Sequence, residues 1–281
     1  MILYILFSPV FFILFLSLWG FWQATHPPKI TSKLTPADLG WQFEEVSLET
    51  SDKVKLAAWY IPNENQSDKA IIILHGYPAD KGDLLYWASF LKDKYNLLFF
   101  DFRYFGKSEG SFTSLGYHER KDVLAAIKYL KEKGVDKIGL MGFSFGASVA
   151  LLTLTETADV AAVAAHSAYA NLDLMGKTYY GKTPFLLGPL TVLTKFWGRV
   201  IYGINADEIA PEEAIKKVDT PIFIIHSRQD ELILVENAER LRQALVGNKQ
   251  SEVWIYDRGI HGEIGGEDYQ EKTLQFFEGN L

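Results

Sequence analysis

Lys137–Thr155 reads KIGLMGFSFGASVALLTLT, a strand, a tight turn and a helix in nineteen residues. KIGLM (Lys137–Met141) has the short apolar run of a buried strand, and Ala147–Thr155 has the small and aliphatic residues of a buried helix. Between them, Gly142-Phe143-Ser144-Phe145-Gly146 fits G-x-S-x-G. A serine on a sharp strand-to-helix turn occupies a strained backbone position, and glycines two residues either side let strand and helix approach closely. Such a turn lifts the hydroxyl above the sheet at a helix N-terminus, where the helix dipole favours developing negative charge.

Working outward, strands are expected at Lys55–Ile61, Ala70–Leu74, Asn96–Asp101, Val160–Ala165, Pro221–His226 and Glu252–Tyr256. Helices are expected at Leu84–Lys94, Glu119–Lys133 (closed by Gly134), Val235–Leu245 and Tyr269–Gly279. Strand alternating with helix implies an α/β fold with a mostly parallel central sheet and helices on both faces. Residues 41–281 form that domain. Its rhythm breaks at 168–210, apolar and aromatic but without a clear strand. This stretch reads as an inserted cap, with Phe185, Leu186, Leu187, Phe196 and Trp197 lending apolar surface to a substrate pocket; ordinary helical core and direct contact with a bilayer surface are the alternatives.

Residues 1–24 carry no charged side chain, and the first is Lys29. At 1.5 Å per residue, about 22 helical residues span the roughly 30 Å of a hydrocarbon core. Tyr4, Trp19 and Trp22 sit near the ends, where amphipathic rings favour the interface. This reads as a single-pass transmembrane anchor, with residues 25–40 a Pro-rich linker. A cleaved signal peptide fits less well: the run is long and lacks a basic start. Lys29 and Lys33 alone do not fix which side of the membrane the domain occupies.

The composition narrows the chemistry. The chain has no cysteine, which excludes disulfides, thiolate metal sites and a cysteine nucleophile. A net charge of −7 argues against a nucleic-acid partner. The six histidines show no metal-binding spacing, so neither a metal nor a cofactor is expected. A serine hydroxyl needs a base. Asp230 in SRQDELI and His261 in DRGIHGE each follow a predicted strand, giving the chain order serine, acid, histidine. His226 is the competing base, but it precedes Asp230; Asp257 is the competing acid. The backbone N–H groups of Phe145 and of Tyr77, in HGYPAD, are candidates for an oxyanion hole. His75 reads as holding that turn.

In order, HGYP, DFRYFGKSEG (Asp101–Gly110), GFSFG and the loops of Asp230 and His261 resemble the α/β-hydrolase superfamily over about Gln42–Leu281. Tyr104 departs from the D-x-R-G-x-G-x-S pattern by standing at its first glycine. The chain is also similar to membrane-anchored Bem46-like and ABHD-type acyl hydrolases. The resemblance implies the α/β-hydrolase fold and a serine hydrolase acting on ester or thioester bonds of small-molecule or lipid acyl substrates. A serine peptidase of aminopeptidase type, or a membrane-tethered binding module without turnover, are the alternatives.

Overall fold

The computed structural model describes residues 9–65, 67–181, 184–263 and 267–281. Strands β1 (Glu44–Glu49), β2 (Lys55–Ile61), β3 (Lys69–Leu74), β4 (Asn96–Phe100), β5 (Lys137–Phe143), β6 (Val160–His166), β7 (Ile222–Ser227) and β8 (Glu252–Tyr256) form one eight-stranded sheet in the order β1-β2-β4-β3-β5-β6-β7-β8. β2 runs antiparallel to both β1 and β4, and the remaining pairs are parallel. The helices are α1 (Pro9–Thr25), α2 (Glu119–Glu132), α3 (Phe145–Thr153), α4 (Leu172–Tyr180), α5 (Pro184–Tyr202), α6 (Pro211–Ala214), α7 (Glu236–Ala244) and α8 (Glu267–Asn280).

Alternation along the central strands divides the core in two. Ala70, Ile72 and Leu74 of β3 face a cluster that includes Val123 of α2, Val149 of α3 and Leu241 of α7. Ile71 and Ile73 face the other, with Leu85, Trp87, Tyr269 and Phe277. Both faces are covered, as the aliphatic composition of these strands requires.

Three expectations are corrected. Leu84–Lys94 is not an α-helix: 3-10 turns cover Lys81–Leu84 and Ser89–Leu91. There the Ser89 hydroxyl donates to the Tyr86 carbonyl at 2.8 Å, the local competition that weakens a helical ladder. A strand missed by the sequence reading, β1, lies at the sheet edge with Leu48 its only fully buried side chain.

The third correction concerns the N-terminus. Among the described residues, no helix is long and apolar enough to cross a membrane, which overturns the transmembrane anchor. Residues 1–8 of the expected 1–24 span lie outside the described residues. α1 has 17 residues, about 26 Å at 1.5 Å per residue. One of its faces is committed to the protein. Phe21 is 3% exposed and packs 5.5 Å from the ring of Tyr202, and Trp197 Nε1 donates to Ser17 Oγ at 2.9 Å. The opposite face, with Phe12, Phe15 and Trp19, is exposed. Residues 25–40 lie against the domain: Ser32 N donates to Asp80 Oδ2 at 2.8 Å.

Candidate active site

The turn between β5 and α3 works as its glycines suggest. Ser144 sits at φ 54°, ψ −113°, a conformation that L side chains rarely adopt. A Cβ on Gly142 would lie 2.5 Å from Ala147 Cα, and one on Gly146 only 2.3 Å from the Leu74 carbonyl oxygen. Only glycine lets α3 start so close to the ends of β3 and β5. The Ser144 amide is held by the His166 carbonyl at 2.8 Å.

Three loops at the carboxyl ends of the parallel strands bring the predicted trio together. His261 Nε2 lies 3.1 Å from Ser144 Oγ, and His261 Nδ1 lies 2.8 Å from Asp230 Oδ2. The other oxygen of Asp230 accepts from the amides of Leu232 at 3.0 Å and Ile233 at 2.8 Å. Burial works to raise the Asp230 carboxyl, but the His261 hydrogen bond, the Ile233 amide and the Ser167 hydroxyl outweigh it and hold the group below the usual carboxylate range. Asp230 is therefore ionised at neutral pH and only accepts. The proton between them must then sit on Nδ1, and in the neutral imidazole the Nε2 lone pair then faces the serine. An imidazole in that tautomer can take the hydroxyl proton as the oxygen attacks.

The histidine is itself fixed. Its amide donates to Glu231 Oε2 at 3.1 Å, and the ring of Phe143 lies 5.0 Å from its own. Tyr256, whose hydroxyl donates to the Glu263 carbonyl at 3.3 Å, also lies 3.0 Å from His166 Nε2. His166 is buried between Trp87 and Phe143. Burial, reinforced by His226 and His261, pushes its imidazole down to about 3.

Phe145 is the first residue of α3, so its N–H has no intrahelical carbonyl to bind. Tyr77 follows Gly76, whose hydrogen lets the loop pass Phe143; a Cβ there would lie 3.0 Å from that ring. The rings of Tyr77 and Phe145 are 6.3 Å apart. His75 is held through both ring nitrogens, by the Gly76 carbonyl at 2.7 Å and the Phe102 amide at 3.0 Å.

The competing residues stand apart from the trio's hydrogen bonds. His226 is buried with Nε2 on the Ile233 carbonyl at 2.7 Å, and Asp257 is exposed and paired with Arg228. The expected pocket residues lie along α5. Phe185 is 78% exposed and Phe196 49%, on an outward stripe of α5 with Val192 and Val200. Leu186 is half-buried, Trp197 turns to Ser17 of α1, and the side chain of Leu187 lies outside the described residues. The reason is helical period: α5 directs Leu190 and Trp197 inward, which turns 185, 192, 196 and 200 out. A cavity of about 320 Å³ beside α4 is lined instead by polar groups such as Lys177, Lys195, Glu212 and Arg240.

The sequence alone does not single out Ser167. It is buried at φ 53° at the end of β6, and its hydroxyl supports Asp230. A small polar residue just past a parallel strand's carboxyl end is the signal that could have found it.

Residues 109–271, which contain Ser144, Asp230 and His261, match the model of the dienelactone hydrolase family. Protein YqkD of Bacillus subtilis is 30% identical over 228 residues, covering 77% of this chain and 73% of YqkD. The α/β hydrolase domain-containing protein WAV2 of Arabidopsis thaliana is 26% identical over 259 residues, covering 87% of this chain and 82% of its own. Among solved structures, the Pyrococcus furiosus esterase Pf2001 is similar with a TM-score of 0.75 and 31% identity, covering 92% of this chain and 98% of that one.

Proposed function

The chain belongs to the dienelactone hydrolase family, with the α/β-hydrolase fold, and from that premise we propose that it is a serine hydrolase cleaving carboxylic ester or thioester bonds of apolar acyl substrates. The observation that carries the reading is the relay from Ser144 Oγ to His261 Nε2 at 3.1 Å and from His261 Nδ1 to Asp230 at 2.8 Å. Ser144 attacks the acyl carbonyl carbon while His261 takes its proton. The Phe145 and Tyr77 amides stabilise the oxyanion. His261 returns the proton to the leaving alcohol or thiol, and the acyl group stays on Ser144. Water, deprotonated by the same imidazole, then releases the acid and restores the serine.

An apolar substrate is favoured by the rim of the site. Leu232 and Leu234, beside Asp230, and Ile260, beside His261, are exposed at 50%, 40% and 52%. Residues 168–210, which leave the sheet just past Ser167, act in this reading as a cap. The aromatic stripe of α5 is given no role in holding substrate.

The test is hydrolysis of p-nitrophenyl esters from acetyl to octanoyl by wild type and Ser144→Ala. The reading expects kcat/KM to rise beyond acetyl and to fall by at least about 10⁴-fold in the variant. Wild-type turnover in Ser144→Ala would overturn it. Faster cleavage of aminoacyl arylamides than of any ester would move the reading to a peptidase.

A further inference from the structure

The N-terminal helix ends directly at the catalytic edge of the sheet. The last carbonyls of a helix have no partner within it. Here four main-chain oxygens in the last turn of α1 and just past it are bound by the loops that follow β3 and β4, that of Gln23 by Tyr77 OH at 3.4 Å. Tyr77 OH donates to the Ala24 carbonyl at 3.0 Å, the Thr113 amide to that of Thr25 at 2.9 Å, and Tyr104 OH to that of Pro27 at 2.7 Å.

Two features single out the tyrosines. Tyr104 adopts φ 73°, where glycine rests without strain, and its amide is held by the Glu109 carbonyl at 2.7 Å. A strained non-glycine residue persists where its surroundings hold it, and its side chain then marks what the strain serves. Here that side chain reaches Pro27. Tyr77 is anchored at both ends: its ring packs 5.8 Å from Phe105 and 6.3 Å from Phe145, and its hydroxyl is on Ala24.

We propose that Tyr77 and Tyr104 clamp the end of the N-terminal helix to the catalytic edge, and that Tyr77, through its phenol, is a positioning residue for its own oxyanion-binding amide. The proposal rests on the serine-hydrolase reading. Gly76 lets the loop pass close to Phe143, and the phenol at Ala24 fixes the far end of the residue that follows. A main-chain donor contributes to catalysis only when aimed at the oxyanion, so a loosened loop costs turnover rather than ground-state binding.

The test is Tyr77→Phe, which keeps the ring and removes only the phenol's bonds to the Ala24 carbonyl and, at 3.4 Å, the Gln23 carbonyl. Expected is a fall in kcat of about 10-fold with KM within about 2-fold of wild type. Affinity for a trifluoromethyl ketone, whose serine adduct carries an oxyanion, should fall by the same factor. Tyr104→Phe should lower kcat in the same direction, and the double variant should lose less than the product of the two, because both hold one segment. Unchanged kcat in Tyr77→Phe, or a loss of kcat without loss of ketone affinity, would overturn the clamp. If Tyr77→Phe does not fold, Tyr104→Phe decides alone: wild-type kcat and ketone affinity there overturn it too. Ser144→Ala is assayed in parallel. If it loses turnover and Tyr77→Phe does not, the clamp alone falls; if it keeps turnover, the serine-hydrolase reading falls.

Discussion

Ser144 occupies a backbone conformation disfavoured for its side chain, and the contacts that hold it there involve atoms of main chain more than side chain. Gly146 is the sharpest case, since the Leu74 carbonyl cannot yield without breaking the end of β3. Gly146→Ala should therefore destabilise the protein by about 3 kcal/mol, read as a lower urea midpoint. Gly247→Ala, where nothing lies within 4 Å, should stay within about 0.5 kcal/mol of wild type. Equal effects would refute this account of the turn. Asp230 is the other residue whose replacement is diagnostic. In Asp230→Asn the amide nitrogen would donate toward His261 and favour the wrong tautomer, so kcat should drop about 10⁴-fold while the fold survives. A loss below about 10-fold would mean that Asp230 does not orient the imidazole.

Among the elements, α1 shows most plainly what an apolar sequence leaves open. A segment without charge reads as lipid-facing because lipid is the commonest surroundings that leave no face polar. The partner for its inner face, Phe21 on Tyr202 and Ser17 on Trp197, comes from α5, which lies far along the chain and cannot be read locally. Phe21→Ala should cost about 3 kcal/mol of global stability in a cooperative unfolding transition. No change would mean that α1 is not docked on the domain. β1 escaped notice for a related reason: EEVSLE buries one side chain fully, so little alternation is written into it. The central strands and α3 were legible because both faces of each strand are covered and their sequences say so. The orientation of α5 was not, because composition gives apolar content and only packing decides which face turns inward.

For the molecule as a whole, the topological order β1-β2-β4-β3-β5-β6-β7-β8 places the ends of β5, β6, β7 and β8 side by side, and this brings Ser144, Ser167, Asp230 and His261 into one neighbourhood. The chain order of serine, acid and histidine carried that arrangement in the sequence; the supporting groups Ser167, Phe143 and Tyr256 did not announce themselves. Setting a neutral histidine into this edge has a global consequence. His166 takes up its proton near 6.5 when unfolded but only near 3 when folded. Between those values the unfolded chain binds more protons, so stability is full above pH 6.5 and declines as pH falls toward 3. His166→Gln should flatten that decline by about 1.4 kcal/mol per pH unit between pH 6 and 4, measured by urea titration at each pH. An identical acid slope in the variant would contradict the buried, neutral state.

Whether Ser144 is the activated nucleophile is read by fluorophosphonate labelling followed by peptide mass mapping of wild type, Ser144→Ala and His261→Ala. One phosphonyl adduct is expected, on Ser144, absent from Ser144→Ala and formed at least about 10³-fold more slowly in His261→Ala. An adduct on another residue, or labelling of Ser144→Ala at the wild-type rate, would contradict it.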